Sequence, residues 1–229
     1  MTDVPGSQEL RERHAKLLSR LREIAASNGH DPERLRIVAV TKTHPVELAR
    51  SALAAGITRL GESRIQEAEP KVEALPDAEW HFIGRLQGNK ARRAVRAFAV
   101  IHSVDSIELL ERLDTLSAEE GRRPRILIQV NVAGESQKGG LDPQELARVT
   151  DPPVNADLVG VMTIGPMGAS EDDARRIFGR LRGLRDALQE RLGIGLPELS
   201  MGMSMDADAA AAEGATLVRI GTALFGPRA

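Results

Sequence analysis

Lys42 stands just beyond the apolar run Ile37, Val38, Ala39 and Val40, with Pro45 three residues further on. A mostly β-branched run of this kind reads as a strand buried on both faces, and the proline reads as the start of the next element. A lysine brought to the mouth of an apolar core sheds its proton readily, and the neutral amine can attack an aldehyde to give a Schiff base. A lysine whose stem covers a strand edge while its charge stays in water is the more ordinary reading of the residue taken alone. Two further groups bear on the choice. The segment Ser200, Met201, Gly202, Met203, Ser204 offers hydroxyls and backbone N–H groups ahead of a helix, and the pair Gly221 and Thr222 offers more, which is the chemistry that holds a phosphate. Each has a plainer reading, the methionines as core filler and the glycines and serines as turn and cap residues. Arg219 lies inside the apolar run TLVRI, where a guanidinium that cannot lose its proton needs partners.

Several chemistries are excluded or disfavoured by composition. The 229 residues contain no cysteine, so disulfides, thiolate catalysis and cysteine-ligated metal are out. The five histidines show no metal-ligand spacing, and His44, His81 and His102 read as supporting or barrel-filling residues. A net charge of -2 and a pI near 6.2 leave no electrostatic footprint for nucleic acid or membrane. One tryptophan, four phenylalanines and no tyrosine leave no stacking platform for bases. With 28% charged and 41% apolar residues and no N-terminal apolar run, the chain is expected to be globular and cytoplasmic.

The elements that must position these groups alternate. Residues 7–27 carry Leu10, His14, Leu17, Leu18, Leu21, Ile24 and Ala25 at helical spacing and precede the first strand. After the Lys42 strand, helices are predicted over 45–55, 65–75, 88–97, 106–117, 143–149, 171–192 and 206–213. Pro70 should bend or break the second of these. Strands are predicted at 58–60, 80–83, 100–104, 125–132, 158–162, 198–201 and 216–220, with a loop over 133–140. Eight strands, nearly all followed by a helix, argue a parallel sheet closed into a single (β/α)8 TIM-type barrel with an extra N-terminal helix, residues 1–229 forming one domain. An open doubly wound sheet is the alternative, but it would usually show a Gly-rich turn after its first strand.

In such a barrel the active face is the C-terminal end of the strands. The residues expected there are Lys42, Glu62, Gly84, Ser103, Asn131, Thr163, Ser200 and Arg219 with Gly221 and Thr222, and Met162 closes the strand before Thr163. A lysine for an aldehyde, a cradle for a phosphate and an arginine for a ring or substrate anion together suggest pyridoxal 5′-phosphate.

The segments IVAVTKTHP, GESRIQEA, EWHFIGRLQGNK, IHSVDS, QVNVAGESQKGG, GVMTI, LSMGMSMD and TLVRIGTALFGPR occur in this order. Together, over residues 35–228, they resemble the pyridoxal phosphate homeostasis proteins, relatives of the alanine racemase N-terminal barrel. The resemblance implies that Lys42 carries the cofactor as an internal aldimine, that Ser200, Gly202, Gly221 and Thr222 surround its phosphate, and that Met203 and Ser204 also belong to the cofactor site. It implies that Arg219 faces the pyridine nitrogen, keeping it unprotonated and weakening the ring as an electron sink, and that Asn131 and Met162 line the site. Ser63 stands where the family usually has Asn, and Arg85 and Gly88 depart from its Pro–Leu–Gln–Ser pattern. Three functions are weighed: a cofactor carrier without appreciable catalysis, a pyridoxal-phosphate-dependent amino-acid racemase, and a cofactor-free Schiff-base aldolase. Racemisation needs acid–base groups on both faces of a carbanion, and in alanine racemases the second is a tyrosine of a further domain. The carrier is therefore expected, as a monomer, with pyridoxal-phosphate-dependent apoenzymes as recipients.

Overall fold

The computed structural model describes residues 5–135, 139–166 and 168–226. The strands β1 (Arg36–Val40), β2 (Arg59–Glu62), β3 (Glu79–Phe82), β4 (Val100–Val104), β5 (Arg125–Gln129), β6 (Asp157–Met162), β7 (Glu198–Ser200) and β8 (Leu217–Ile220) pair in parallel in chain order. β8 returns to β1, with Val38 opposite Arg219, so the sheet is a closed barrel. Residues 136–138 of the expected 133–140 loop lie outside the described residues.

Helices α1 (Ser7–Ser27), α2 (Val46–Ala54), α3 (Ile65–Ala74), α4 (Ala91–Ala97), α5 (Ile107–Glu120), α6 (Pro143–Leu146), α7 (Glu171–Leu192), α8 (Ala207–Ala212) and α9 (Thr222–Phe225) follow the strands or, for α1, precede them. The predicted and observed bounds coincide for α1, α7 and β4. Local chemistry fixes several ends: Ser106 and Ser170 accept backbone N–H groups at the starts of α5 and α7, and glycines in the left-handed region, Gly121 and Gly193, close both.

Three expectations need correction. Pro70 does not interrupt α3, because Ala68 and Lys71 on either side of it are pinned against the barrel and outweigh one lost helix bond. β5 stops at Gln129, and Val130 makes only an isolated bridge to Leu141. The predicted basic helix at 88–97 is a turn of 3-10 helix over Gly88–Lys90 before α4.

Strand alternation sorts the core into two layers. Trp80, Phe82 and Ile101 point outward into the large cluster between strands and helices, where Phe82 and Phe98 pack with ring centroids 5.1 Å apart. A small separate cluster holds Val100, Leu127 and Met162. His81 and His102, which share strand faces with none of the outward residues, meet each other instead.

Candidate functional site

Lys42 is half-buried in the loop after β1, and the backbone beneath it is clamped. The Thr41 hydroxyl donates to Glu62 Oε1 (2.7 Å), and Lys71 Nζ reaches both that oxygen (2.7 Å) and the Thr41 carbonyl (2.9 Å). All three side chains are buried. The His44 N–H donates to the same Thr41 carbonyl (3.1 Å). The turn so formed puts Thr43 at φ 67°. A β-branched residue in this left-handed region is strained by about 1–2 kcal/mol, and the surrounding bonds hold it there. The strand end thus presents Lys42 from a fixed peptide rather than from a loose loop.

Arg219 lies on β8 opposite Val38 of β1 and is only 5% exposed. Its Nη1 donates to Ser200 Oγ (2.7 Å) and its Nη2 to the Thr163 carbonyl (2.8 Å). Burial draws its pKa down to about 10, opposed through space by Asp206, so it stays charged at neutral pH. Behind Ser200 the contacts continue inward. Ser200 Oγ lies 2.8 Å from His102 Nδ1, His102 Nε2 lies 2.8 Å from His81 Nδ1, and His81 Nε2 lies 2.9 Å from Glu79 Oε1. Burial lowers the pKa of His81 and, more strongly, of His102, leaving both rings neutral. The hydrogen bond from His81 is the main cause that holds the Glu79 carboxyl at about 2, with Arg125 adding to it.

The expected phosphate loops are brought together. Ala223 N donates to Ser204 Oγ at 3.4 Å, joining the loop after β7 to the one after β8. Ser204 and Gly221 are half-buried, and Met203, Thr222 and Ala223 are exposed. Gly202 takes φ +88°, and a Cβ on it would stand 2.5 Å from that of Ala210, so a side chain there would push α8 off the barrel. Ser200 differs from its loop neighbours: it is fully buried and its hydroxyl is engaged by Arg219 and His102. Ser204, by contrast, is half-buried in the loop, and its hydroxyl accepts Ala223 N. Met162 packs beneath the site with Val100 and Leu127, opposite Ser200 across β6 and β7. Asn131 is half-buried at the rim, its Nδ2 donating to the Glu135 carbonyl (2.9 Å). Arg85 is exposed, with Nε 3.8 Å from Asp105, and Gly88 accepts Arg112 Nε through its carbonyl (2.7 Å). Ser63 is half-buried beside Gly84, whose added Cβ would meet the Ser63 carbonyl.

Lys71 and Glu79 are the residues that sequence reasoning missed. Lys71 occupies the buried stripe of α3 with Ile65 and Ala68, a spacing that could have marked it. Glu79 opens β3 as an ordinary charged strand end, and nothing in its spacing points inward.

The profile of the alanine racemase N-terminal domain matches residues 15–229. The pyridoxal phosphate homeostasis protein of Synechocystis sp. is 44% identical over 204 residues, which cover 86% of this chain and 93% of the relative. That of Aquifex aeolicus is 40% identical over 222 residues, 95% of this chain and 97% of the relative. Among solved structures, PipY of Synechococcus elongatus PCC7942 with pyridoxal phosphate bound is similar at a TM-score of 0.79 and 40% identity, over 90% of this chain and 100% of PipY.

Proposed function

The chain belongs to the pyridoxal phosphate homeostasis proteins of the alanine racemase N-terminal domain family, and from that membership we propose that it binds pyridoxal 5′-phosphate reversibly on the Lys42 amine and regulates its free level. The observation that carries this is a half-buried lysine in the loop two residues past β1, beside the neighbouring strand β8 that carries a buried guanidinium. Among the described residues the Arg219 side chain makes two hydrogen bonds, and a guanidinium has five N–H donors. A buried cation with donors left over suits a ligand acceptor such as a ring nitrogen, and Ser204, Gly221 and Thr222 suit the phosphate at the other end.

When bound, the cofactor supplies an aldehyde that an amine attacks with loss of water, and a ring that can draw electrons from an attached carbon. Lys42 holds it, and the clamp of Thr41, Glu62 and Lys71 fixes where that amine sits. Arg219, charged throughout the physiological range, would donate to the ring nitrogen and leave it without a proton, which would weaken the ring's pull on electrons. These residues include no tyrosine, so no phenol can serve as the second base of a racemase. We therefore read the protein as a carrier without appreciable turnover. Residues 1–229 act as one domain and a monomer in the cytoplasm, handing the cofactor to apoenzymes that need it.

The test has two arms. Equilibrium dialysis should show pyridoxal binding at least tenfold more weakly than its phosphate, since charge-assisted bonds contribute about 1.5–3 kcal/mol each; equal affinities would discard the phosphate cradle. The yellow protein should give neither α-proton exchange nor D-alanine from L-alanine in deuterated buffer, and turnover at about 1–10³ per second would make it a racemase.

A further inference from the structure

Among the described residues Arg219 has no carboxylate as a hydrogen-bond partner, and the groups it touches lead away from the mouth, down the inside of the barrel. The direction of each bond in that line can be derived from its two ends. A guanidinium only donates, so Ser200 Oγ accepts from Arg219. Glu79, ionised at neutral pH, only accepts, so the His81 hydrogen sits on Nε2. His81 is neutral, which leaves a lone pair on Nδ1, so His102 donates to it from Nε2. His102 is neutral too, so its Nδ1 is bare and accepts the Ser200 hydroxyl hydrogen. Every group donates once, each toward Glu79, and no other assignment satisfies both ends with neutral rings. The line runs from near the C-terminal end of β8 to the first residue of β3, where Arg125 and Arg59 hold Glu79.

We infer that Ser200, His102, His81 and Glu79 form a one-way hydrogen-bond chain through the barrel that positions the Arg219 guanidinium against the ring end of the cofactor. The inference rests on the proposed cofactor reading. These four are positioning residues: they act on the ligand through Arg219. Held at its back by Ser200 and the Thr163 carbonyl, the guanidinium has its plane fixed, and its remaining N–H groups are aimed rather than free to turn. Chains of this kind reinforce each other in a low-dielectric interior, so the fixed negative charge of Glu79 strengthens the acceptor that Ser200 offers to Arg219.

The chain itself is tested without cofactor. Long-range 1H–15N NMR of the labelled apoprotein at pH 7.5 should show both His81 and His102 as neutral rings carrying their hydrogen on Nε2, with the signals assigned through His81→Gln and His102→Gln. A charged ring, or hydrogen on Nδ1 in either residue, would overturn it. Glu79→Gln, at the far end from the mouth, should shift the ring signals of both histidines. The positioning role is tested in the loaded protein. Ser200→Ala should move the 15N signal of the cofactor's pyridine nitrogen and weaken binding by roughly tenfold, the effect of one charge-assisted bond. An unmoved ring signal with unchanged affinity would reduce the chain to ordinary satisfaction of buried polar groups. A protonated pyridine nitrogen in the loaded wild-type protein would instead refute the placement of Arg219 against the ring, and the positioning role with it, while the apoprotein tautomers stood as they were.

Discussion

Among the described residues two cations lie buried in this barrel, and they are accommodated in opposite ways. Lys71 on α3 meets the carboxylate of Glu62 directly at 2.7 Å and gives a second hydrogen bond to the Thr41 carbonyl. Arg219 on β8 hydrogen-bonds, among the described residues, to a hydroxyl and a backbone carbonyl; Asp206 acts on it through space, and the carboxylate that its line of contacts reaches is Glu79, on the far side of two neutral histidines. The first arrangement closes on itself: charge, counter-charge and the strand end below Lys42 are tied in one knot. The second leaves donors over, and a desolvated charge with unused donors is most economically explained by a ligand that completes it. A buried ion pair by itself says little about function, whereas a buried cation with only neutral partners points to what is to be bound there.

The largest expected effect is on the closed pair. Lys71→Met leaves Glu62 buried and uncompensated, with its Oε2 already lacking a hydrogen-bond partner among the described residues, and should cost about 3–5 kcal/mol in urea unfolding. Adding Glu62→Gln should restore more than half of that; no recovery would mean the two do not act as a pair. Arg219→Met comes next. It removes a charge whose partners are neutral, so the stability change should stay within about 1–2 kcal/mol while cofactor affinity falls at least tenfold. If the stability losses of the two variants were reversed, so would be the distinction between brace and binding group.

The neutral histidines give a third effect, set by pH. Their folded pKa values are lowered by burial, so as pH falls below about 6.5 the unfolded chain takes up protons that the folded one refuses, and stability is lost. His81 faces Glu79, His102, Arg125 and Arg59, and His102 faces His81, Arg219 and Arg125. The slope should approach about 1.4 kcal/mol per pH unit per histidine below that point, and His102→Gln should flatten it. Glu79 behaves oppositely in origin: with its pKa depressed to about 2, its contribution is complete above about 4.5 and lost only as pH drops toward 2. Urea midpoints between pH 8 and 5 therefore report the histidines alone from this line. The smallest effect is at the turn after Lys42. Thr43→Gly relieves the left-handed strain but adds freedom to the unfolded chain, so a gain below about 1 kcal/mol is expected. A loss would show that the threonine side chain itself holds the turn.

The fold was legible because eight short apolar runs, each ending in a small or polar residue, could hardly be assembled otherwise in a chain this long. The position of Lys42, Gly221 and Thr222 on one rim was legible for the same reason, since residues that follow parallel strands share a rim. The line from Arg219 to Glu79 was not, because β3, β4, β7 and β8 meet across the interior only when the barrel closes, and sequence spacing carries no trace of that. Ser200 marks the boundary. It was expected at the phosphate, yet Leu199 packs in the outer core, and strand parity then turns Ser200 inward to Arg219. Helix α9 went unseen since its four residues are too few to show a period.

Lys42 and Lys71 stand on either side of Thr41, one half-buried in the loop at the mouth and the other buried in an ion pair with Glu62, and the first is the one proposed to take the aldehyde. Borohydride reduction of the loaded wild-type protein, followed by peptide mass mapping, decides between them. The reduced cofactor should be found on the peptide containing Lys42 and be absent from Lys71. Its appearance on Lys71 or another lysine, with Lys42 unmodified, would contradict the site described for this barrel.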